Sequence, residues 1–341
     1  MLGQDIGIDL GTSSILIYVK GRGVIAKEPS VVAVDKNTNR LLAVGYEAQK
    51  MLGRTPGNIV AVKPLREGVI SDYTITERML KYFMQRVTSK GFLSSIFKPR
   101  VVVCVPSGIT EVEERAVIDA GLSAGARKVN LIEEPLAAAL GADVDIKTPH
   151  GKMVIDIGGG TSDIAVMSLG GIVVSRSLKL AGDNFDDAII KYIRRKFNVL
   201  IGERTAEELK IKIGCVRKRE KLLAMDVRGR SLISGLPKTL QITSDEMYDA
   251  LRETALTIAE EARNILEETP PELMGDISST GIVLTGGGAK LYGIDRMIQT
   301  ETGMRVILAD EPEKCVARGT GAAMENYDIL ARYNSADSRD F

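Results

Sequence analysis

The apolar positions of the chain form two similar series, one in each half of the sequence. Each series begins with an apolar strand that ends in an aspartate, passes through a Gly-Thr turn and returns as a second apolar strand. The two aspartates, Asp9 and Asp156, are 147 residues apart, about the length of one domain. In the second series, Gly170 and Gly171 predict a hairpin into a third strand. The pattern therefore predicts a duplicated chain.

Helical patterns follow the strands in both halves. Apolar residues spaced four apart predict helices over residues 75–87 and 183–197. Thr74, Thr110 and Thr243 each precede a glutamate by three residues, the signature of a capping box at a helix start. Further apolar runs predict buried strands at 101–105, 129–132 and 281–285, the last followed by a helix from about 289. This alternation predicts an α/β fold with ligand loops at the strand ends.

Composition excludes several classes of function. The 341 residues are 44% hydrophobic, and their 45 basic and 45 acidic side chains give zero net charge, which argues against nucleic-acid binding through broad electrostatics. A single histidine, His150, argues against Ser-His-Asp catalysis and multi-histidine metal sites. Three widely spaced cysteines indicate reduced thiols, and neither a secretory leader nor a membrane-spanning run is expected. We therefore expect a cytoplasmic protein.

The two glycine turns have the composition of phosphate-binding loops. Glycine lets successive backbone amides approach one anion, and the hydroxyls of Thr12, Ser13 and Thr161 add donors. Two such turns facing each other would hold a triphosphate from both sides. Asp9 and Asp156 would repel phosphate directly, so they are expected to contact Mg²⁺ through its water shell. Either turn alone is more often an ordinary tight turn, and their repetition favours the ligand interpretation.

Two further segments have both a structural and a functional interpretation. Gly286, Gly287 and Gly288 follow a predicted strand, where a glycine run alone is more often a turn than a ligand loop. Glu133 and Glu134 open a predicted helix, where the helix dipole favours carboxylates. The functional interpretation is that one glutamate orients a water for attack on the γ-phosphate, because phosphoryl transfer needs mainly alignment and charge stabilisation.

The order of these segments resembles the actin/Hsp70/sugar-kinase superfamily, and within it the bacterial actin MreB family, including its Mbl paralogues. The resemblance extends from about Ile6 to about Ala331. The segments that match nucleotide loops and their connecting segments are 9–12, 133–139, 156–161, 284–289 and 317–321. The segments that match the MreB family elsewhere are 54–58, 105–110, 235–238 and 268–273.

The resemblance implies a duplicated actin-like, ribonuclease H-like ATPase fold with two lobes of two subdomains each around a nucleotide cleft. Lobe I would span 1–140, with a small subdomain at about 33–66 and the helix 316–332 packed back onto it. Lobe II would span 141–315, with a small subdomain at about 182–245. Residues 333–341 would form a flexible tail.

The resemblance also assigns site residues. Glu134 would position the hydrolytic water, Thr161 would contact the γ-phosphate region, and Asp156 would complete the catalytic group; Asp9 and Asp156 would hold Mg²⁺ through water. The residues expected to bind ATP are Asp9, Gly11, Thr12, Ser13, Ser14, Gly158, Gly159, Gly160, Thr161, Glu207, Lys210, Gly286, Gly287, Gly288 and Ala289. An ordinary solvated helix pair is the alternative for Glu207 and Lys210. Ser162 and Asp163 depart from the Thr-Glu pair expected in many family members.

An apolar segment precedes the predicted strand at 101–105. It is expected to insert into a membrane surface through Phe92, Leu93, Ile96 and Phe97. Lys98 and Arg100 would then lie at the lipid headgroups. Local packing under a loop is the alternative. One such segment, a membrane finger, would bind a membrane only weakly. A filament that carries many membrane fingers would bind through avidity.

The function implied by the resemblance is that of an ATP-dependent filament that determines rod shape by orienting peptidoglycan synthesis at the inner face of the cytoplasmic membrane. Implied partners are further copies of the chain in paired protofilaments, the membrane, and the cell-wall elongation proteins MreC, MreD and RodZ. A sugar kinase would need an extra sugar pocket, and an Hsp70-like chaperone a further domain. A plasmid-segregating or other specialised bacterial actin is the nearer alternative.

Overall fold

The computed structural model describes residues 5–87 and 98–325. Its strands are β1 Asp5–Leu10, β2 Ser14–Val19, β3 Gly23–Pro29, β4 Val32–Asp35, β5 Leu41–Val44, β6 Ile59–Val62, β7 Leu65–Arg66, β8 Val69–Ile70, β9 Arg100–Val105, β10 Lys128–Glu133, β11 Lys152–Ile157, β12 Ser162–Ser168, β13 Gly171–Leu178, β14 Val199–Leu200, β15 Ala224–Ser231, β16 Pro237–Thr243, β17 Ile282–Thr285 and β18 Val306–Leu308. Its α-helices are α1 Tyr46–Gln49, α2 Tyr73–Val87, α3 Glu111–Ser123, α4 Glu134–Gly141, α5 Gly182–Phe197, α6 Glu203–Ile213, α7 Ser244–Glu268, α8 Pro271–Thr280, α9 Ile294–Thr302 and α10 Cys315–Glu325.

Two five-stranded sheets share one topology. The first has the strand order β3-β2-β1-β9-β10 and the second the order β13-β12-β11-β17-β18. In each sheet the first three strands in sequence form an antiparallel meander, and two parallel strands follow on the other side of the first strand. The predicted duplication is therefore confirmed at the level of strand order, and Asp9 and Asp156 occupy equivalent strands.

The two sheets are joined by an exchange of helices. Helix α4 follows the last strand of the first sheet but packs on β11 and β12 of the second, whereas α10 follows the second sheet and packs on β1, β2 and β9 of the first. The helices cross at glycines. A Cβ on Gly141 would lie 1.8 Å from the carbonyl oxygen of Cys315, and a Cβ on Gly319 would lie 1.8 Å from that of Ala137. The small residues of α4, including Ala137, Ala138 and Ala139, are buried in this apolar layer between the sheets.

Smaller sheets lie beside the large ones. Strands β5, β4 and β6 form one sheet, and β14, β15 and β16 form another. They fall inside the ranges 33–66 and 182–245 that the sequence predicts as small subdomains, apart from Val32. The lobe and subdomain boundaries themselves stay a prediction.

The helix starts confirm two of the three predicted caps. The Thr110 and Thr243 side chains each accept from the backbone N–H of the glutamate three residues on, which completes both capping boxes. The cap predicted at Thr74 is wrong, because α2 begins one residue earlier and the Asp72 carboxylate accepts from the backbone N–H of Ile75. Asp72 is a stronger N-cap residue than a threonine inside the first turn.

The helix predicted from about 289 is also different. Residues Gly288–Lys290 form a short 3-10 turn, and α9 begins at Ile294. Gly293, at φ +88°, reorients the chain between the two, and a Cβ at this position would lie 2.4 Å from Arg217 Cβ. A side chain at that φ would be strained, so glycine marks the actual helix start.

Two predicted segments lie outside the described residues. They are the membrane finger with Phe92, Leu93, Ile96 and Phe97, and the tail 333–341. Within residues 5–87 and 98–325, no helix has both the length and the apolar character needed to cross a bilayer.

Candidate nucleotide site

A cavity of about 580 Å³ opens where the glycine turns of the two sheets meet. Its volume is in the range of small-molecule sites. The predicted residues that line it are Asp9, Gly11, Thr12, Ser13, Ser14, Glu134, Asp156, Gly158, Gly159, Gly160, Thr161, Glu207, Lys210, Gly286, Gly287 and Gly288. The structure thus brings together, around one cavity, residues that are up to 279 positions apart in the sequence.

The two phosphate-type loops touch each other through hydroxyls and glycines. A Cβ on Gly159 would lie 2.2 Å from Ser13 Oγ, and a Cβ on Gly160 would lie 2.3 Å from Thr12 Oγ1. The loop after β11 must therefore be glycine to admit the side chains of the loop after β1. Thr12 Oγ1 also accepts a hydrogen bond of 3.0 Å from the backbone N–H of Gly68, which fixes its orientation.

The two aspartates are held in surroundings that favour their neutral forms. Burial, followed by the charge of Asp156, raises the pKa of Asp9 to about 8. Burial raises the pKa of Asp156 to about 7, although the Thr285 hydroxyl donates to its Oδ1 at 2.7 Å and opposes the shift. Both carboxyls are hard to ionise in this cavity. A cation bound nearby would stabilise their charged forms.

A second acidic group lies around Thr161. The Thr161 hydroxyl is 3.5 Å from Glu134 Oε2, and Glu134 is buried at the start of α4. Burial, reinforced first by Asp163, raises the pKa of Glu134 well above its ordinary value. Asp163 accepts a hydrogen bond of 3.1 Å from the backbone N–H of Ser107, and burial raises its pKa to about 6. The departure noted at Asp163 therefore places a short carboxylate beside Glu134.

The far end of the cavity is lined by α6 and the segment after it. Lys210 Nζ donates to the carbonyl oxygen of Gly182 and to Asp186, both at 2.9 Å, while Glu207 lines the cavity one turn earlier. Arg219 also lines the cavity, with its guanidinium 4.0 Å from the centre of the Tyr292 ring. Arg219 stands in a mainly basic run, 217–221, with no motif that marks it as a site residue.

One predicted nucleotide contact is placed elsewhere. The Ala289 side chain packs in the core of the second sheet and does not line the cavity. The glycines before it do line the cavity, and Gly286, at φ +84°, lies against the carbonyl oxygen of Ile157. The loop after β17 therefore faces the cavity through glycine backbone, and the 3-10 turn directs Ala289 inward.

The residues present fit a magnesium–triphosphate ligand. The glycines of both loops provide backbone cradles that a Cβ would fill, and the hydroxyl side chains of Thr12, Ser13, Ser14 and Thr161 line the same space. Across residues 5–87 and 98–325, no group of three or more His, Cys, Asp or Glu side chains is arranged to hold a metal ion directly. Asp9 and Asp156 are predicted to contact Mg²⁺ through water. Such contact requires that both residues line one cavity, and both line this one.

Sequence reasoning missed several charged residues at the site. Asp183 and Lys63 form an ion pair of 3.2 Å across the cleft, and Asp186 pairs with Lys210 at 2.9 Å. These residues come from helix and loop positions without a glycine motif, so their proximity follows from the tertiary fold. A usable signal was the acidic pair at 183 and 186, one helical turn apart directly after the Ala-Gly break.

Known proteins match the chain over nearly its whole length. The family model described as MreB/Mbl protein matches residues 3–332. The cell shape-determining protein Mbl of Bacillus cereus is 52% identical over 332 residues, covering 97% of this chain and 99% of that protein. The cell shape-determining protein MreB of Escherichia coli is 48% identical over 333 residues, covering 96% and 95%.

Solved structures agree with the sequence comparison. MreB5 of Spiroplasma citri bound to ADP superposes with a TM-score of 0.90 at 40% identity, covering 97% of this chain and 98% of that chain. The same protein bound to AMPPNP gives the same TM-score and identity. The expected duplicated, two-lobed actin-like fold is therefore confirmed, and the chain belongs to the MreB/Mbl family of bacterial actins.

Proposed function

We propose that the chain binds ATP with Mg²⁺ in this cavity, hydrolyses the ATP, and assembles into membrane-associated filaments that determine cell shape. The observation that carries the proposal is the meeting of two glycine loops from equivalent strands, each with an aspartate at the end of its strand. The pairing Gly159–Ser13 and Gly160–Thr12 supplies backbone and hydroxyl donors from both sides.

The proposed roles follow from the positions of the side chains. Glu134 orients the attacking water, and Thr161, within 3.5 Å of it, contacts the terminal phosphate region. Asp9 and Asp156 hold Mg²⁺ through water, where their negative charges become favourable. The bound cation would neutralise charge that develops on the phosphates. Glu207 and Lys210 flank the adenosine.

The relatives support the cellular part of the proposal. The solved structures of Spiroplasma citri MreB5 are described as bound to ADP and to AMPPNP, which supports an adenine nucleotide in the equivalent cavity here. The Bacillus and Escherichia relatives are named for cell-shape determination, which supports the same role. Paired protofilaments, guidance of peptidoglycan synthesis, and MreC, MreD and RodZ as partners belong to this proposal.

Membrane attachment rests on the apolar segment at Phe92, Leu93, Ile96 and Phe97, which stays a prediction. Of the two predicted headgroup contacts, Lys98 is exposed. Arg100 makes a bidentate pair with Asp5, at 2.9 and 2.7 Å, which joins the starts of β9 and β1 in the first sheet. A contact of Arg100 with headgroups would have to compete with this ion pair, and it stays a prediction.

A matched pair of alanine variants tests the nucleotide site. Gly160→Ala places a methyl group against Thr12 Oγ1, whereas Gly275→Ala in α8 has no atom within 4 Å of its new Cβ. We expect Gly160→Ala to lose nucleotide binding in equilibrium titration with a fluorescent ATP analogue, and Gly275→Ala to bind as the wild type does. Equal affinity of both variants would contradict the proposed cavity.

The filament and membrane parts need separate measurements. Asp156→Ala should abolish ATP-dependent sedimentation. Phe92→Ala combined with Phe97→Ala should reduce co-sedimentation with anionic liposomes while leaving nucleotide affinity unchanged. Undiminished liposome binding by that double variant would remove the membrane finger without affecting the nucleotide site.

A further inference from the structure

One carboxylate oxygen bridges the two sides of the cleft. Asp183 Oδ1 accepts a hydrogen bond of 3.0 Å from Ser13 Oγ and one of 3.2 Å from Lys63 Nζ. Ser13 belongs to the loop after β1, and Lys63 follows β6 in the smaller sheet beside it. Asp183 lies at the start of α5, on the side of the second large sheet. The bridge therefore joins three separate parts of the fold at one atom.

The position of Asp183 is fixed from behind by the second glycine loop. The backbone N–H of Asp183 donates to the carbonyl oxygen of Gly159 at 2.8 Å, and that of Gly182 donates to Gly158 at 3.2 Å. The backbone that carries the carboxylate therefore cannot shift without moving the loop that would hold phosphate. The Asp183 and Lys63 side chains are 32% and 29% exposed, so water screens their charges incompletely.

Lys63 is the counter-ion of this carboxylate. Burial alone would lower the pKa of Lys63, but neighbouring carboxylates, Asp183 foremost, raise it above its ordinary value. The lysine therefore carries a full positive charge at neutral pH, and it neutralises Asp183 where a polyanion would otherwise be repelled.

The Ser13 hydroxyl has one proton to donate. It donates that proton to Asp183, although Ser13 also lines the cavity where phosphate donors are needed. A phosphate oxygen and the Asp183 carboxylate are both anionic acceptors of the same geometry. The hydroxyl can serve one of them at a time.

We propose that Asp183 competes with the nucleotide phosphates for the Ser13 hydroxyl and thereby sets nucleotide affinity, with Lys63 as the positioning residue that limits the repulsion. This inference rests on the proposed function, because it assumes that phosphates enter this cavity. It assigns opposite effects to the two partners of one ion pair. Asp183 weakens nucleotide binding, and Lys63 strengthens it.

The alternative is a purely structural bridge that holds the cleft together. In that case the loss of either partner would loosen the same contact, and both variants would change nucleotide affinity in the same direction. The sign of the two effects therefore distinguishes competition from simple bracing.

The test uses the full chain, below the concentration at which it sediments, titrated with the Mg²⁺ complex of AMPPNP. Asp183→Asn removes the charge but keeps the shape, and we expect its Kd to fall about tenfold, as for loss of one charge-assisted competitor. Lys63→Gln should raise the Kd by a similar factor. The double variant should bind about as tightly as Asp183→Asn alone, because the charge that needed neutralising is gone.

Asp187→Asn is the matched control, since Asp187 is an exposed carboxylate on the same helix and should leave the Kd unchanged. A second readout is the midpoint of thermal unfolding. Asp183→Asn should lower it without nucleotide and should enlarge the increase that Mg²⁺–ADP produces. Kd values that shift in the same direction for Asp183→Asn and Lys63→Gln, or that do not shift, would overturn the inference while leaving the proposed function intact. Failure of the wild type to bind nucleotide would instead reject both.

Discussion

The aspartates at the ends of β1 and β11 should make the cation-free protein less stable as the pH rises. The pKa of Asp9 is raised to about 8 and that of Asp156 to about 7, from an ordinary value of 3.8. Between the ordinary value and the raised values, the folded chain holds protons on these carboxyls that the unfolded chain has released. Their contribution to stability is fully present below pH 3.8 and is lost as the pH rises through the folded pKa values.

The size of the effect follows from proton occupancy. At pH 7 the folded chain keeps about 0.9 proton on Asp9 and about 0.5 on Asp156, and the unfolded chain keeps almost none. Each bound proton changes the free energy of unfolding by about 1.4 kcal/mol per pH unit, so the two carboxyls lower it by about 2 kcal/mol per unit near neutrality. Asp9→Asn removes its own share and should make the slope shallower by about 1.2 kcal/mol per unit.

The assay is urea unfolding followed by circular dichroism between pH 6 and pH 8.5 in the presence of EDTA. A parallel series with Mg²⁺ and ADP should show a smaller slope, because a cation stabilises the ionised carboxylates in the folded state. Asp187→Asn, on the exposed side of α5, should keep the wild-type slope. A wild-type free energy of unfolding that rises with pH, or an Asp9→Asn slope equal to the wild type's, would refute the reasoning.

Three further substitutions test separate parts of the structure. Glu134→Ala should retain nucleotide binding but slow phosphate release about 100-fold, measured with a phosphate sensor, because the water loses its positioning group; unchanged release would remove Glu134 from the mechanism. Thr243→Ala removes the cap of α7 and should lower the free energy of unfolding by about 1 kcal/mol. Gly319→Ala forces a methyl group onto the Ala137 carbonyl oxygen and should cost about 2 kcal/mol or more in urea unfolding, whereas Gly275→Ala, which meets no neighbour, should not destabilise.

The predictable parts of the fold are those that depend on the local periodicity of apolar residues and on glycine turns. The strands that carry Asp9 and Asp156 are short apolar runs bounded by turns, and both lie where the pattern places them. The duplication could be inferred because the same strand-turn-strand pattern occurs twice in the sequence. The cavity lining was predictable for the same reason, since phosphate loops need glycine at fixed positions.

The parts that were not predictable depend on tertiary placement. Arg219 could not be separated from adjacent basic residues, because its stacking on Tyr292 joins positions far apart in sequence. Asp183 carries no motif, and its partners Ser13 and Lys63 lie 170 and 120 residues away. The resemblance predicts Ala289 as a nucleotide contact together with the glycines before it. The 3-10 turn at Gly288–Lys290 instead directs its side chain away from the cavity.

The helix exchange explains how the state of the cavity is linked to the arrangement of the two sheets. Helix α4 begins at Glu134, in the cavity wall, yet its remaining turns pack on the second sheet, and α10 returns the exchange onto the first. At the crossing, Gly141 and Gly319 leave no room for even one methyl group, so the helices cannot slide past each other without losing close backbone contact. Glu134 directly follows β10 of the first sheet, whereas Thr161 lies in the loop after β11 of the second, so a rotation of one sheet against the other would change the distance between their side chains. In the proposed function this distance separates the carboxylate that orients water from the residue at the terminal phosphate, so a contact between copies of the chain that held the two sheets in one arrangement would also hold this distance.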